Sequence, residues 1–192
     1  MNKREQQRED RRREILSCGL DMIISRGYEA TKIRDIAEKL QISTGLFFNY
    51  FESKEKLYEE LVKIGLRGPE SALEFSTKVT QPIEFFEQMT AYIFQAVQAN
   101  SYTSKLFLLM AQTMRMEKIP DSVKALVSRL DTITPLVPMV EKGQQLGQIK
   151  EGDPRVLLAG YWGAVQGIAE CYSYCSDWQL PKSSWIVDIL RK

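Results

Sequence analysis

Two very short helical segments that follow one another almost without a gap constrain the fold of this chain more than any other feature. Apolar residues recur at helical spacing over residues 31–40 and again over 43–50, with only Gln41-Ile42 between them. Helices this short bury too little apolar surface to be stable alone. A longer amphipathic segment at residues 8–25 precedes them and supplies the missing apolar face. The spacing therefore predicts a compact three-helix unit with a tight internal turn, which is the helix-turn-helix arrangement.

Helix-start and helix-stop signals fall where this unit needs them. Gly27 suits a left-handed residue after the first helix, and Thr31, Ser43 and Ser53 can each cap the helix that follows. These signals predict four helices in the N-terminal part of the chain.

The rest of the chain also shows helical periodicity, and no run has the two-residue alternation of a strand. Pro82 and Pro154 suit the first turns of helices, whereas Pro135 and Pro138 predict a kink or a break. The fold class is therefore predicted to be all-α.

The residue content argues against several other classes of protein. The chain has no histidine, which removes the commonest general base, most zinc sites and every Ser–His or Cys–His nucleophile pair. Its three cysteines, an odd number, do not form a disulfide framework. The N-terminus is charged and no apolar stretch reads as a membrane span, so we expect a cytoplasmic protein. We predict that the chain is not an enzyme and uses no metal and no cofactor.

Three stretches of the N-terminal segment carry a specific resemblance. They are GYEATKIRDIA at 27–37, ISTGLFFNYF at 42–51 and SKEKL at 53–57. Together they strongly resemble the DNA-binding domain of the TetR family of repressors, and the likeness runs over roughly residues 8–60 without a gap. The resemblance implies a helix-turn-helix DNA-binding domain at residues 1–54 and a larger helical domain for effector binding and dimerisation at 55–192.

The resemblance also implies which side chains meet DNA. Arg34 is the best candidate for a guanine contact, and Lys54 and Thr31 would each meet a phosphate. Phe47 and Phe51 are interpreted as core because they lie one helical turn apart on the buried face. The predicted DNA-binding residues are Thr31, Arg34, Ser43, Thr44, Gly45, Leu46, Phe48, Asn49, Tyr50 and Lys54.

Three positions depart from the pattern of the family. Gln41 stands where a glycine usually precedes the recognition helix, so it is expected to adopt a costly positive φ. Phe48 replaces a usual tyrosine and therefore lacks one phosphate-bonding hydroxyl. Leu46 replaces a small hydroxyl residue, so the base preference of the family does not transfer to this chain.

The larger domain is rich in aromatic and methionine side chains, which suits a pocket for a small, largely apolar effector as well as ordinary core packing. The predicted ligand-binding residues are Phe75, Phe86, Met89, Tyr92, Ile93, Phe107, Met110, Met114, Trp162 and Gln166.

Small residues recur every four positions late in the chain and predict the close approach of another helix, either in a homodimer or within the chain. They are Ala159, Gly163, Gly167, Cys171 and Cys175, and the last two are interpreted as small buried thiols.

These features predict a ligand-responsive transcriptional repressor that binds a palindromic double-stranded DNA operator as a homodimer. Three alternatives stay open. The basic residues Lys3, Arg4, Arg8 and 11–13 could contact DNA or form a solvated helix face, because acidic residues interleave with them. The regulator could respond to a partner protein instead of a small molecule. A histidine-free enzyme would need paired carboxylates, and no paired spacing indicates them.

Overall fold

Ten α-helices and their short connections make up the described part of the chain. The computed structural model describes residues 2–76, 79–175 and 177–192, with the backbone alone at 69, 70 and 72–76. The helices are α1 (Lys3–Arg26), α2 (Ile33–Lys39), α3 (Thr44–Phe48), α4 (Lys54–Ser76), α5 (Pro82–Ala99), α6 (Ser101–Arg115), α7 (Asp121–Val127), α8 (Val137–Gln145), α9 (Pro154–Tyr172) and α10 (Ser183–Val187). The predicted all-α class is confirmed. Within these described ranges, no helix is both long and apolar enough to cross a membrane.

The proline positions predicted several helix boundaries correctly. Pro82 and Pro154 occupy the first turns of α5 and α9, as predicted. The segment that follows Val127 becomes helical again only at a 3-10 turn, Thr134–Leu136, which leads into α8. The break predicted around Pro135 and Pro138 is therefore confirmed.

The start of the first helix and the end of the last helix differ from the prediction. Helix α1 begins at Lys3 instead of Arg8, because Asn2 caps it: the Asn2 side chain accepts from the Glu5 N–H at 2.9 Å, and the Glu5 carboxylate accepts from the Asn2 N–H at 2.8 Å. Helix α10 ends at Val187 instead of Arg191, because Arg191 forms an isolated antiparallel bridge with Ile149.

The chain packs as two units. The first comprises Met1–Gly65 and Leu108–Arg129, and the second comprises Leu66–Phe107 and Leu130–Lys192. The first unit therefore contains α1 to α3, the beginning of α4, the end of α6 and α7. The division of function at residue 54 stays a prediction.

The core of the first unit is built by α1 against α2, α3 and the start of α4. Gly19 permits a close approach there, because a Cβ atom at this position would lie 2.6 Å from Leu57 Cδ2. The Tyr58 hydroxyl donates to Thr113 Oγ1 at 2.7 Å, and Thr113 in turn donates to the Leu109 carbonyl. The buried apolar side chains include Ile15, Leu16, Leu20, Ile23, Ile36, Phe47, Leu57 and Leu61.

The core of the second unit lies among α5, α8, α9 and α10. Its buried side chains include Phe85, Phe86, Met89, Val140, Leu158, Tyr161, Val165, Val187 and Leu190. Two buried hydroxyls form a chain of hydrogen bonds in this core. Tyr161 donates to Thr90 Oγ1 at 2.7 Å, and Thr90 donates to the Phe86 carbonyl at 2.7 Å. Both hydroxyls form hydrogen bonds, so neither is an unpaired polar group inside the core.

The turn between α2 and α3 is held in a strained conformation. Gln41 has a φ of 55°, in the left-handed region, which confirms the positive φ predicted for it. The turn is otherwise well bonded, because the Ile42 N–H donates to the Ala37 carbonyl at 2.9 Å.

We predict that Gln41→Gly raises the free energy of unfolding by about 1 kcal/mol, because glycine adopts this φ without a steric cost. Urea unfolding followed by circular dichroism measures the change. Gln41→Ala is the matched control: it removes the same exposed side chain but keeps the strain, so it should not gain stability. Equal stability in the two variants would contradict the prediction.

Candidate nucleic-acid interface

Helix α3 is a short helix fixed at its start by a cap and along one side by two aromatic rings. The Ser43 hydroxyl accepts from the Leu46 N–H at 3.0 Å, so the predicted cap is confirmed. Phe47 and Phe51 are both buried, with ring centroids 6.0 Å apart, which confirms their interpretation as core. These contacts leave the opposite face of α3 free.

The opposite face of α3 gathers most of the predicted DNA-binding residues. Thr44, Gly45 and Asn49 are exposed, and Phe48 retains 50% of its surface. Leu46, like Tyr50 just beyond the helix, is half-buried at the edge of this face. The structure therefore brings these residues together on one surface, and their contact with DNA stays a prediction.

Gly45 lies at the centre of the exposed face without any structural need for a glycine. A Cβ atom there would meet only the Ser43 hydroxyl, at 3.8 Å, and Gly45 lacks the positive φ seen at other glycines. Glycine inside a helix costs about 1 kcal/mol relative to alanine. Neither packing nor backbone conformation within the chain offsets that loss of stability.

Helix α2 carries the exposed cation predicted to meet a base, and a residue shortly before it corrects one prediction. Arg34 is exposed and forms no ion pair within the described part of the chain, whereas its neighbour Asp35 lies 3.7 Å from Arg26. Thr31 does not cap α2, because its buried hydroxyl donates to the Gly27 carbonyl at 2.8 Å. In this conformation the Thr31 side chain is not accessible to a phosphate.

The Lys54 side chain connects the start of α4 to the loop before α2 through hydrogen bonds. Its ammonium donates to the carbonyls of Tyr28 at 2.8 Å and Glu29 at 3.4 Å, and it lies 4.1 Å from the Tyr28 ring. The Tyr28 hydroxyl donates to Glu55 at 3.0 Å. Burial, reinforced by this hydrogen bond, raises the pKa of Tyr28, and a hydrogen bond with Ser53 lowers the pKa of Glu55.

The Tyr28–Glu55 bond was not predicted from the sequence. The signal for it was the tyrosine of GYEAT combined with the glutamate of SKEKL, two of the three stretches that carry the resemblance. Lys54 itself is held by its hydrogen bonds to the Tyr28 and Glu29 carbonyls, so it has a structural role whatever it contacts outside the chain.

The basic residues near the N-terminus lie on a regular helix. Arg8 and Arg12 line a surface groove together with Tyr50 and two glutamates. Arg12 is already engaged, since it pairs with Glu60 at 3.2 Å and lies 5.2 Å from the centroid of the Phe51 ring. Both the DNA-contact interpretation and the solvated-face interpretation of these residues therefore remain open.

The predicted ligand-binding residues divide into two groups. Phe86 and Met89 are fully buried in the core of the second unit, and Ile93 and Trp162 pack against that core. The Trp162 Nε1–H donates to the Thr132 carbonyl at 3.0 Å. Gln166 donates to Glu170, and Phe107 is half-buried.

The remaining predicted ligand-binding residues are not part of that cluster. Tyr92, which the sequence placed among the pocket-lining side chains, is 67% exposed and does not face the core of the second unit, whereas Thr90 of α5 is buried. Met110 and Met114 belong to the first unit, where Met110 packs at Gly65 and Met114 is 59% exposed. The side chain of Phe75 lies outside the described residues.

The small-residue stripe on α9 faces outward. Ala159, Gly163 and Gly167 are exposed, and a Cβ atom at either glycine would meet nothing within 4 Å. Packing within the chain therefore does not explain these glycines. Cys171 and Cys175 are half-buried instead of buried, and the Tyr174 hydroxyl donates to Cys171 Sγ at 3.1 Å.

Together α2, the strained turn and α3 define a helix-turn-helix domain with an exposed recognition helix. Residues 15–61 match the tetR family of bacterial regulatory proteins. This stretch of the chain is therefore a DNA-binding domain of the type found in the TetR family of regulators. The match is to regulatory proteins and not to enzymes, in agreement with the sequence prediction.

Two kinds of relative extend the comparison. The HTH-type transcriptional repressor KstR2 of Mycolicibacterium smegmatis is 40% identical over 53 residues, which is 28% of this chain and 26% of that repressor. The match thus spans about a quarter of the length of the curated relative. Among solved structures, KstR2 of Mycobacterium tuberculosis aligns with a TM-score of 0.71 at 18% identity, covering 95% of both chains. AibR in complex with isovaleryl coenzyme A and operator DNA aligns with a TM-score of 0.65 at 19% identity, covering 93% of this chain and 94% of that one.

Proposed function

We propose that this protein is a transcriptional repressor that binds a roughly palindromic DNA operator as a homodimer and leaves it when a small, largely apolar effector binds. The observation that carries DNA binding is the exposed face of α3, capped by Ser43 and backed by the buried Phe47. A face of this kind fits the major groove of duplex DNA.

Arg34 and Lys54 take different roles in this proposal. Arg34 is exposed and free of ion pairs within the described residues, so its guanidinium is available to a guanine edge. Lys54 keeps two of its protons on backbone carbonyls, so it offers a phosphate a third proton from a fixed position.

The outward stripe on α9 supports a homodimer. Glycines that face solvent in a helix cost stability, and Gly163 and Gly167 gain no contact within the chain. The exposed Val156 and Trp185 add apolar surface on α9 and α10. A second copy of the chain would cover this surface and present two recognition helices one DNA turn apart.

The effector class is supported by the aromatic core of the second unit and by two relatives. AibR was solved with isovaleryl coenzyme A and operator DNA, and KstR2 is described as a ketosteroid transcriptional regulator. Phe86, Met89, Ile93 and Trp162 are the side chains that we expect to line or border the effector pocket. Binding of effector and of DNA would then oppose one another through a coupling free energy.

A second candidate is a DNA-binding regulator controlled by a partner protein. The observation that favours it is the tight packing of the second unit, where Phe85, Phe86 and Tyr161 are fully buried. A core filled in this way leaves an effector to enter only by displacing side chains.

The test is selection of duplex DNA from a random pool by the purified protein, read by sequencing. An enriched palindrome supports a dimeric, sequence-specific repressor and supplies the probe for ligands that release it. Absence of enrichment from a folded protein at moderate salt contradicts the proposal and favours the candidate controlled by a partner protein.

Arg34→Ala should weaken binding to the selected duplex by about 1–3 kcal/mol and relax the preference at one base pair, because a base contact is lost. Lys54→Ala serves as the contrast: it should weaken binding to all sequences evenly and reduce the salt slope by about one. Fluorescence anisotropy over a salt series measures both effects. If both variants bind selected and random DNA like the parent, the assignment of these residues to the DNA surface is wrong.

A further inference from the structure

The recognition helix and its flanks carry no charge at all. From Leu40 to Phe51 there is no lysine, arginine, aspartate or glutamate, and the nearest charged residues are Lys39 and Glu52. The bidentate contacts of arginine or lysine to guanine are therefore not available from α3 itself. Base recognition by this helix must use hydroxyl, amide or apolar groups.

The most exposed apolar group on this helix is the Phe48 ring. It retains 50% of its surface and touches Phe47 edge-on, with ring centroids 5.8 Å apart. Single exposed apolar residues are common on protein surfaces, so this exposure alone indicates little. Here, however, it adjoins Gly45, where the chain leaves open space at the centre of the same face. The half-buried Leu46 lies at the edge of that face.

The charges that border the helix fit a DNA duplex. Lys32 and Arg34 are exposed at the start of α2, and Lys54 is fixed at the start of α4. The exposed Glu52 also borders the helix, and the uncharged, apolar centre with these cations near it suits a groove whose floor carries bases and whose rims carry phosphates.

We propose that Phe48, with Leu46 beside it, reads the 5-methyl groups of thymines in the major groove. Among the four bases only thymine presents a methyl group there, and apolar side chains recognise it by contact. Phe48 is thus a specificity-determining residue, and the phenylalanine in place of tyrosine exchanges a phosphate bond for an apolar base contact. This inference rests on the proposed DNA binding and deepens it.

Uracil tests the proposal because it keeps every hydrogen-bonding group of thymine and lacks only the methyl. The probe is the duplex enriched from the random pool, with deoxyuridine placed at one thymine pair at a time, symmetrically in both half-sites. At one or two positions we expect the affinity of the parent protein to fall about three- to fivefold per half-site, the value of one buried methyl group. Phe48→Ala should bind the thymine duplex more weakly and lose the sensitivity at one position.

Two variants and a stability measurement keep this test decisive. Phe48→Tyr keeps the ring and should keep the uracil sensitivity, and Leu46→Ala should lose it at a different position or not at all. Thermal unfolding confirms that each variant is folded, which is expected because Phe48 is half-exposed. Specific binding without any uracil sensitivity, or full sensitivity in Phe48→Ala, would overturn this inference alone. A parent protein that enriches no duplex would overturn the proposed function and this inference with it.

Discussion

Gly19→Val should lose about 2–3 kcal/mol of the free energy of unfolding, a large part of the stability of a small domain. A Cβ atom at residue 19 would lie 2.6 Å from Leu57 Cδ2 and 3.3 Å from its Cγ. Leu57 is fully buried, so its side chain has no free space into which it can turn. The valine would therefore force α1 away from α4 and loosen the core under the helix-turn-helix.

The matched control is the same change at Gly45 of α3. A Cβ atom there would meet only the Ser43 hydroxyl at 3.8 Å, an ordinary contact, so Gly45→Val should change the free energy of unfolding by less than about 0.5 kcal/mol. Urea unfolding followed by circular dichroism compares both variants with the parent. If the two variants unfold at the same urea concentration, α1 and α4 are not packed as closely as the structure has them.

The helix-turn-helix could be predicted from sequence because its signals are local. Ser43 accepts from an N–H three residues away, and Phe47 and Phe51 lie one turn apart, so short windows of sequence contain them. The strain at Gln41 was equally local, since it followed from a missing glycine at one position. Where two local patterns competed the prediction was wrong: Thr31 resembles a cap, but its hydroxyl bonds the carbonyl four residues back.

The second unit was less predictable because its decisive contacts are distant in sequence. The sequence prediction placed Tyr92 in the ligand pocket and did not name the polar Thr90. The structure reverses this, because Tyr161, 71 residues away, satisfies the Thr90 hydroxyl inside the core. No window around Thr90 shows that partner. The same reason limits the ligand-binding prediction, in which Met110 and Met114 belong to the other unit.

The helix ends show a third kind of difference. Asn2 and Glu5 have the spacing of a capping box, so the start of α1 at Lys3 was predictable from the sequence. The short α10 had no comparable signal. The carbonyls of Asp188 and Ile189, just beyond α10, accept from the Lys150 ammonium at 3.0 and 3.1 Å, a contact between segments about forty residues apart.

Gly45→Ala should separate folding from DNA binding, with stability kept and affinity lost. In the free protein the added methyl would make only an ordinary contact with the Ser43 hydroxyl, at 3.8 Å, so stability should stay the same or rise by up to about 1 kcal/mol. On DNA the same methyl would stand at the centre of the face that approaches the base edges. We expect affinity for the selected duplex to fall at least about tenfold, about 1.4 kcal/mol, since close packing at the groove does not tolerate an added group.

Gly160→Ala is the matched control for this change, because it adds a methyl at an exposed position of α9, where a Cβ atom would meet only Ile189 Cγ2 at 3.7 Å, an ordinary contact. It should raise stability by a similar amount and leave the affinity for DNA unchanged, as measured by anisotropy and urea unfolding. A Gly45→Ala protein that binds as tightly as the parent would show that α3 does not approach DNA through this face. Weaker binding with undiminished stability would instead locate the contact at a surface that packing within the chain does not need. In that case, the glycine at 45 is retained for the DNA and not for the fold.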